Sequence, residues 1–246
     1  MGFLERYILF FILIGLCAAF SAWASRKVKT SYSAFAKVAN ASHMTGYDTA
    51  VRLLRANDVT DISVGRVSGT LTDHYHPTKK LVNLSDSVYG SPSVAAVAVA
   101  AHEIGHVMQK KKGYLPYHIR SVLVTVANFG SRLAFPLVLL GIILDAYLVG
   151  TSNPDLGYYF AIAGVVLYGA STLFMLVTLP VEFDASRRAK KMLLKEGILT
   201  DEEIFGASKV LNAAAMTYVA SLAVSLVYFL RFLVWVLSIF GNRRRR

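Results

Sequence analysis

The longest uncharged stretch of the chain lies between Asp155 and Glu182, and its run "LGYYFAIAGVVLYGASTLFMLVTLPV" exceeds the roughly 20 apolar residues a helix needs to cross a bilayer. Three further apolar segments follow the same pattern. Residues 7–24, "YILFFILIGLCAAFSAWA", are uncharged and halted at once by "SRKVK", which predicts a signal anchor. The "AWAS" sequence offers an A-x-A cleavage site after Ala24, but a basic cluster directly behind an apolar run resists translocation, so an uncleaved anchor is expected. Residues 122–149 are apolar except for Arg132 and Asp145. These two fall near opposite ends of a span starting at about Leu133, where a charged head reaches the interface. Residues 210–240 hold Arg231 inside "VYFLRFLVWVL". An arginine at the bilayer centre costs about 3 kcal/mol on insertion scales, so this segment either crosses or lies partly in the interface.

Polar patterning fills the remainder. "TGYDTAVRLLRAND" places Thr45 three residues before Asp48, a capping-box signature, and predicts a short amphipathic helix. "DVTDISV" and "LTDHYHPTKKLVNLS" read as β-runs, the second turning at His76-Pro77-Thr78. Ser91-Pro92 predicts a helix start, serine as N-cap and proline at the first helical position, launching "SVAAVAVAAHEIGHVMQKKKG" to a stop at Gly113. That helix is too short and too interrupted by polar residues to span. The expected organisation is an N-terminal anchor (1–25), a soluble domain (26–120), a membrane hairpin (121–181), a second soluble helix region (182–209) and a C-terminal membrane helix with a basic tail (210–246). The fold class is therefore α+β: a multi-span helical membrane protein carrying a small α+β domain at the membrane surface.

Composition sharpens this picture. A hydrophobic content of 55% and a mean hydropathy of +0.49 exclude an ordinary soluble protein. The net charge of +11 is gathered into short clusters beside apolar runs ("SRKVK", "KKK", "SRRAKK", "RRRR"), the pattern of membrane flanks and not of a nucleic-acid face. The single cysteine, Cys17, allows neither a disulfide framework nor a cysteine-based metal site. "MGFLER" is not a myristoylation signal, because Arg6 stands where serine or threonine is required.

The candidate chemistry sits in "AAHEIGHVMQ". His102 and His106 are four residues apart, so on a helix they share one face and can hold one Zn2+ through ring nitrogens, while Glu103 lies beside them as a general base for water. A catalytic zinc needs a third protein ligand. His43, His74, His76 and His118 are available, but no H-E-x-x-H-x-x-G-x-x-H extension follows. A glutamate on a second helix is the other common solution, and "PVEFDASRRAKKML" offers Glu182, the expected third ligand. His74, Tyr75, Tyr114 and His118 are candidate donors to a developing oxyanion.

Taken together, "LTDHYHPTKKLVNLSDSVYGSPSVAAVAVAAHEIGHVMQ", "PVEFDASRRAKKML" and "AAMTYVASL" resemble the YugP-like membrane-bound neutral zinc metallopeptidases, over residues 42–226. The resemblance implies a bacterial integral-membrane peptidase, its small domain a zincin-like catalytic domain at the membrane surface, with His102, His106 and Glu182 on zinc and Glu103 as catalyst. The broader gluzincin group carries E-x-x-A-D after the span, whereas this chain has Ser186 at the aspartate position. An aspartate there would share the ligand's helical face and could orient a zinc-bound histidine; Ser186 can do so only as a neutral partner.

A site built from both sides of residues 113–181 requires an even number of crossings between them. The link "GTSNPDLG" carries only Asp155, whereas the site side carries Lys110, Lys111, Lys112, Arg120, Arg187, Arg188, Lys190 and Lys191, so the positive-inside rule predicts a cytoplasmic catalytic domain. A single crossing by the last segment would carry "RRRR" to the opposite side, against that rule. The expected function is hydrolysis of peptide bonds in membrane-associated or unfolded proteins, with substrate, bilayer and zinc as partners. "LTDHYHPTKKLVNL" either offers an edge strand to an extended substrate or covers the zinc helix as an internal hairpin. Two rivals are an intramembrane metalloprotease, disfavoured by the lysines after Gln109, and a membrane scaffold with a non-catalytic zinc site.

Overall fold

The computed structural model describes residues 3–147 and 155–241; most of the link at 150–157 and the "RRRR" tail lie outside the described residues. Its elements run α1 (Phe3–Phe35), α2 (Gly46–Ala56), β1 (Ser63–Val67), β2 (His74–His76), β3 (Leu81–Ser85), α3 (Asp86–Tyr89), α4 (Val94–Lys111), α5 (Leu115–Tyr147), α6 (Leu156–Lys195) and α7 (Glu203–Phe240). The protein is mostly helical with one small sheet. Four helices are long and apolar enough to cross a membrane: Ile8–Phe35, Leu115–Tyr147, Leu156–Lys195 and Glu203–Phe240. The chain forms two compact units, one of Ala22–Tyr117 with Leu179–Thr217, the other of Met1–Ser21, His118–Thr178 and Tyr218–Arg246.

In the first unit α4 is the centre. Fourteen of its 18 residues are buried, most of them alanine and valine, so neighbouring elements pack close against its backbone. Leu53 and Leu54 of α2, Val82 and Leu84 of β3, Leu193 of α6 and Leu211 of α7 complete that core. The alternation of Val82 and Leu84 follows the two-residue period of a strand with one buried face. The capping box at α2 forms as predicted, with Thr45 Oγ1 accepting from the Asp48 N–H at 3.1 Å and Asp48 Oδ2 accepting from the Thr45 N–H at 3.1 Å.

The sheet runs in the order β1-β3-β2. β1 pairs parallel to β3 from Ser63↔Leu81 to Val67↔Ser85, and β2 pairs antiparallel to β3 from His74↔Asn83 to His76↔Leu81. Strand β2 is thus an edge strand, pinned at its start by Asp73, whose carboxylate accepts from the Ser85 N–H (2.7 Å) and hydroxyl (2.9 Å).

Helix α4 starts later than the sequence suggests. Its N-cap is Ser93, whose hydroxyl accepts from the Ala96 N–H at 3.2 Å, and Pro92 lies outside the helix. The reason is a tertiary competitor: the Pro92 carbonyl accepts from Asn40, through its main-chain N–H at 2.9 Å and Nδ2 at 2.6 Å, and Ala39 bridges Ser93. The stop is as expected, with Gly113 in the left-handed region at φ +64.

The second unit packs through small residues and polar contacts. Val138, Ala161, Val165, Val236 and Phe240 form its core. Gly164 takes the place where a methyl group would meet the Ala134 carbonyl, Ser171 donates to the Ala127 carbonyl (2.9 Å), and Thr172 meets Ser225 (2.8 Å). Large apolar side chains such as Val122, Phe129 and Val166 face outward, as a lipid-facing surface requires. The Arg231 guanidinium lies 5.2 Å from the centre of the Phe10 ring.

Candidate metal centre

One turn of α4 carries His102, Glu103 and His106; the facing stretch of α6 carries Glu182 and Ser186. The helices meet at Gly105, where an added methyl would stand 2.6 Å from the Ala185 carbonyl oxygen, so only glycine allows this approach. Across that contact one donor atom each from His102, His106 and Glu182 lies within 4.8 Å of the others. Glu182 Oε2 is 3.2 Å from His102 Nε2 and 3.7 Å from His106 Nε2. Zinc bound tetrahedrally at about 2.0 to 2.1 Å puts its ligand atoms about 3.3 Å apart, so the spacing and the N/N/O donor chemistry suit that ion.

The opposite ring nitrogens test the same fit. His106 Nδ1 lies 3.0 Å from Gln109 Oε1. Gln109 is fully buried, and its Nε2 donates to the Val181 carbonyl (2.7 Å) and to Asp184 Oδ2 (3.0 Å), both of which can only accept. The amide orientation is therefore fixed, Oε1 must accept, and His106 must carry its proton on Nδ1. That leaves the Nε2 lone pair facing Glu182. His102 repeats the arrangement with its Nδ1 3.1 Å from Ser186 Oγ.

Glu103 is buried beside these donor groups, with 8% of its surface exposed. Burial pushes its carboxyl up to about 7; the His102 ring opposes this, the Glu182 and Asp73 carboxylates reinforce it, and the Tyr75 main-chain N–H donates to it. A carboxyl poised near neutrality suits a group that must both accept and return a proton.

The structure brings His102, Glu103, His106, Glu182, Ser186 and Tyr75 together. Tyr75 touches the site through its main-chain N–H; its side chain packs against the core, where burial pushes the phenol up to about 12. His74 is engaged elsewhere, with Nδ1 2.8 Å from the Thr72 carbonyl and Nε2 3.1 Å from Asn83 Nδ2. Tyr114 donates to the Pro180 carbonyl at 3.5 Å and lies under the Arg188 guanidinium. His118 belongs to the second unit. Two residues at the site carry no functional reading from the sequence: Gln109 and Tyr117, whose buried ring lies 6.5 Å from that of His106. Gln109 had a usable signal, since it stands three residues after His106 on the same helical face. Tyr117 had none.

Asp184 also has a role that its position two residues after Glu182 does not suggest. It accepts from Arg188 Nε at 2.6 Å and from Gln109, so a carboxylate supports His106 at one remove while His102 rests on a hydroxyl.

Comparisons with known proteins point to zinc peptidases. A family model described as "Putative neutral zinc metallopeptidase" matches residues 10–237. A protein of Bacillus subtilis (strain 168) described as "Putative membrane protease YugP" is 42% identical over 230 residues, which cover 94% of this chain and 97% of that protein. No solved structure matches. The chain therefore belongs to the neutral zinc metallopeptidase family, with zinc as its cofactor.

Proposed function

We propose that the protein is a membrane metalloendopeptidase in which His102, His106 and Glu182 hold zinc and Glu103 is the general base. The observation that carries this reading is the convergence of three donor atoms from α4 and α6 beside one buried carboxyl. Zinc in such a site lowers the pKa of water towards 7 and polarises a scissile carbonyl. Glu103 takes the proton of the attacking water and delivers it to the departing amine. Gln109 and Ser186 hold the two imidazoles with Nε2 turned inward. The helices around α4 exclude bulk water from the far side of the ligands.

Edge strand β2 gives the substrate a track. Its Tyr75 N–H reaches Glu103, so an extended peptide pairing along β2 would run past the reacting groups. Such main-chain pairing favours unfolded or extended segments over folded ones. Because Glu182 follows directly on an uncharged run of α6, the substrates in this reading are proteins at or in the membrane; the cationic residues on the site side of that run support a cytoplasmic catalytic domain.

The test is purification of wild type and Glu103→Gln in detergent, with zinc content and cleavage of an unfolded protein measured on both. Wild type should cleave, and Glu103→Gln should keep its zinc while losing about 10²- to 10⁴-fold in rate. Zinc without cleavage in wild type would leave a scaffold, and equal cleavage by the variant would remove Glu103 from the chemistry.

A further inference from the structure

Lys112 at the end of α4 and Arg187, Arg188, Lys191 and Lys195 along α6 line a single concavity of about 460 Å³. No carboxylate lines it. Arg188 spends its Nε on Asp184, but the side chains of the other four make no ion pair or hydrogen bond with any described residue. All four are exposed. Four unpaired like charges around one hollow repel one another, and an anion seated among them relieves that repulsion. The concavity is separate from the metal centre. Met108, which backs it, is two residues beyond His106 and so points about 200° away from that ligand around α4.

Its place on α6 narrows the choice of anion. Arg187 lies six residues beyond Val181, the last residue of the apolar run, and Lys195 lies fourteen beyond it. At about 1.5 Å per residue the cluster begins about 9 Å past the hydrocarbon limit and rises from there. The polar zone of a bilayer leaflet occupies about the first 5 to 8 Å, and side chains on a helix lean towards its N-terminus, here the membrane side, so the long Arg187 side chain at the lower rim reaches back to the headgroups. Arginine presents a fork matched to phosphate oxygens, and lysine adds charge without strict geometry. The buried Met108 and Met192 give the hollow an apolar back, suited to the glycerol end of a lipid and not to a free hydrated ion.

We propose that this concavity seats the headgroup phosphate of an anionic phospholipid. The site rests on reading the apolar run of α6 as a membrane span and is independent of the peptidase chemistry. The full chain, reconstituted in nanodiscs of mixed phosphatidylcholine and phosphatidylglycerol and then released into detergent, is examined by native mass spectrometry for retained lipid. Wild type retains phosphatidylglycerol in preference. Lys112→Gln/Arg187→Gln/Lys191→Gln/Lys195→Gln reduces that preference by about tenfold or more. Arg26→Gln/Lys27→Gln/Lys29→Gln, which neutralises an exposed basic cluster on α1, leaves it intact. Circular dichroism and zinc content verify the fold of each variant, and Lys191→Gln alone gives a smaller loss in the same direction should the fourfold variant fail to fold. Undiminished preference in the pocket variants overturns the proposal, as does an equal loss in the α1 variant, which would mean diffuse charge. Binding of inorganic phosphate with no preference among lipids overturns it too, by making the site one for a small anion.

Discussion

The two histidines of the metal centre stand on unlike ground. His106 is backed by a chain of groups, from buried Gln109 to half-buried Asp184 and Arg188, that ends in an ion pair; among the described residues His102 Nδ1 is backed by the hydroxyl of Ser186. The first arrangement fixes proton position by elimination, since every partner of the Gln109 amide has one possible role. The second fixes ring direction but leaves a rotatable hydroxyl. The lesson is that an aspartate absent from its expected position does not leave the ligands without carboxylate support. Here that support reaches the other histidine, through an amide, from two residues away.

Four substitutions probe this asymmetry. The largest effect should come from removing what both sides share: Glu182→Ala deletes the donor that faces both Nε2 atoms, and zinc measured by elemental analysis should fall from about one per chain to near zero. Stoichiometric zinc in that variant would remove Glu182 from the ligand set. Gln109→Ala comes next. It leaves the His106 N–H without its partner in a buried site and cuts that ring off from Asp184, so zinc affinity measured by chelator competition should drop about 100-fold, the upper end for a partner of a ligand. Ser186→Ala should cost about tenfold, because one neutral contact to a partly exposed ring is lost. If the serine variant proves the costlier of the two, the asymmetry is inverted. The smallest change sharpens the comparison from the other side: Ser186→Asp gives His102 a carboxylate and should tighten zinc binding by about threefold, less than the about 10- to 100-fold that losing such a partner costs.

Much of this architecture is written in local patterns. The four apolar helices, the α2 capping box, the stop at Gly113 and the His-Glu-His set can be read from spacing alone, because helical period and charge-free length are local properties, whereas Glu182 is reached only through the need of a zinc site for a third ligand and through the family resemblance. What depends on distant partners is not legible. Ser93 replaces Ser91 as the N-cap because Asn40, more than 50 residues earlier, takes the Pro92 carbonyl. The parallel pairing of β1 with β3 places β2 at the edge, an order that no hairpin signal predicts. The role of Asp184 is hidden for the same reason: its partner Gln109 reaches it from α4, across 75 positions of sequence.

The contact at Gly105 has a further consequence. Ala185, whose carbonyl it faces, lies one residue before Ser186 and three after Glu182, so the gap between two backbones is also the gap between two halves of the proposed ligand set. The pair of helices works as a calliper whose opening is gauged by a missing methyl group. A carbon added at position 105 would press on main chain, which has no rotamer to yield, and the jaws would widen by that amount at all three donors. The bite of the metal site is thus set by a residue that contributes no atom to it.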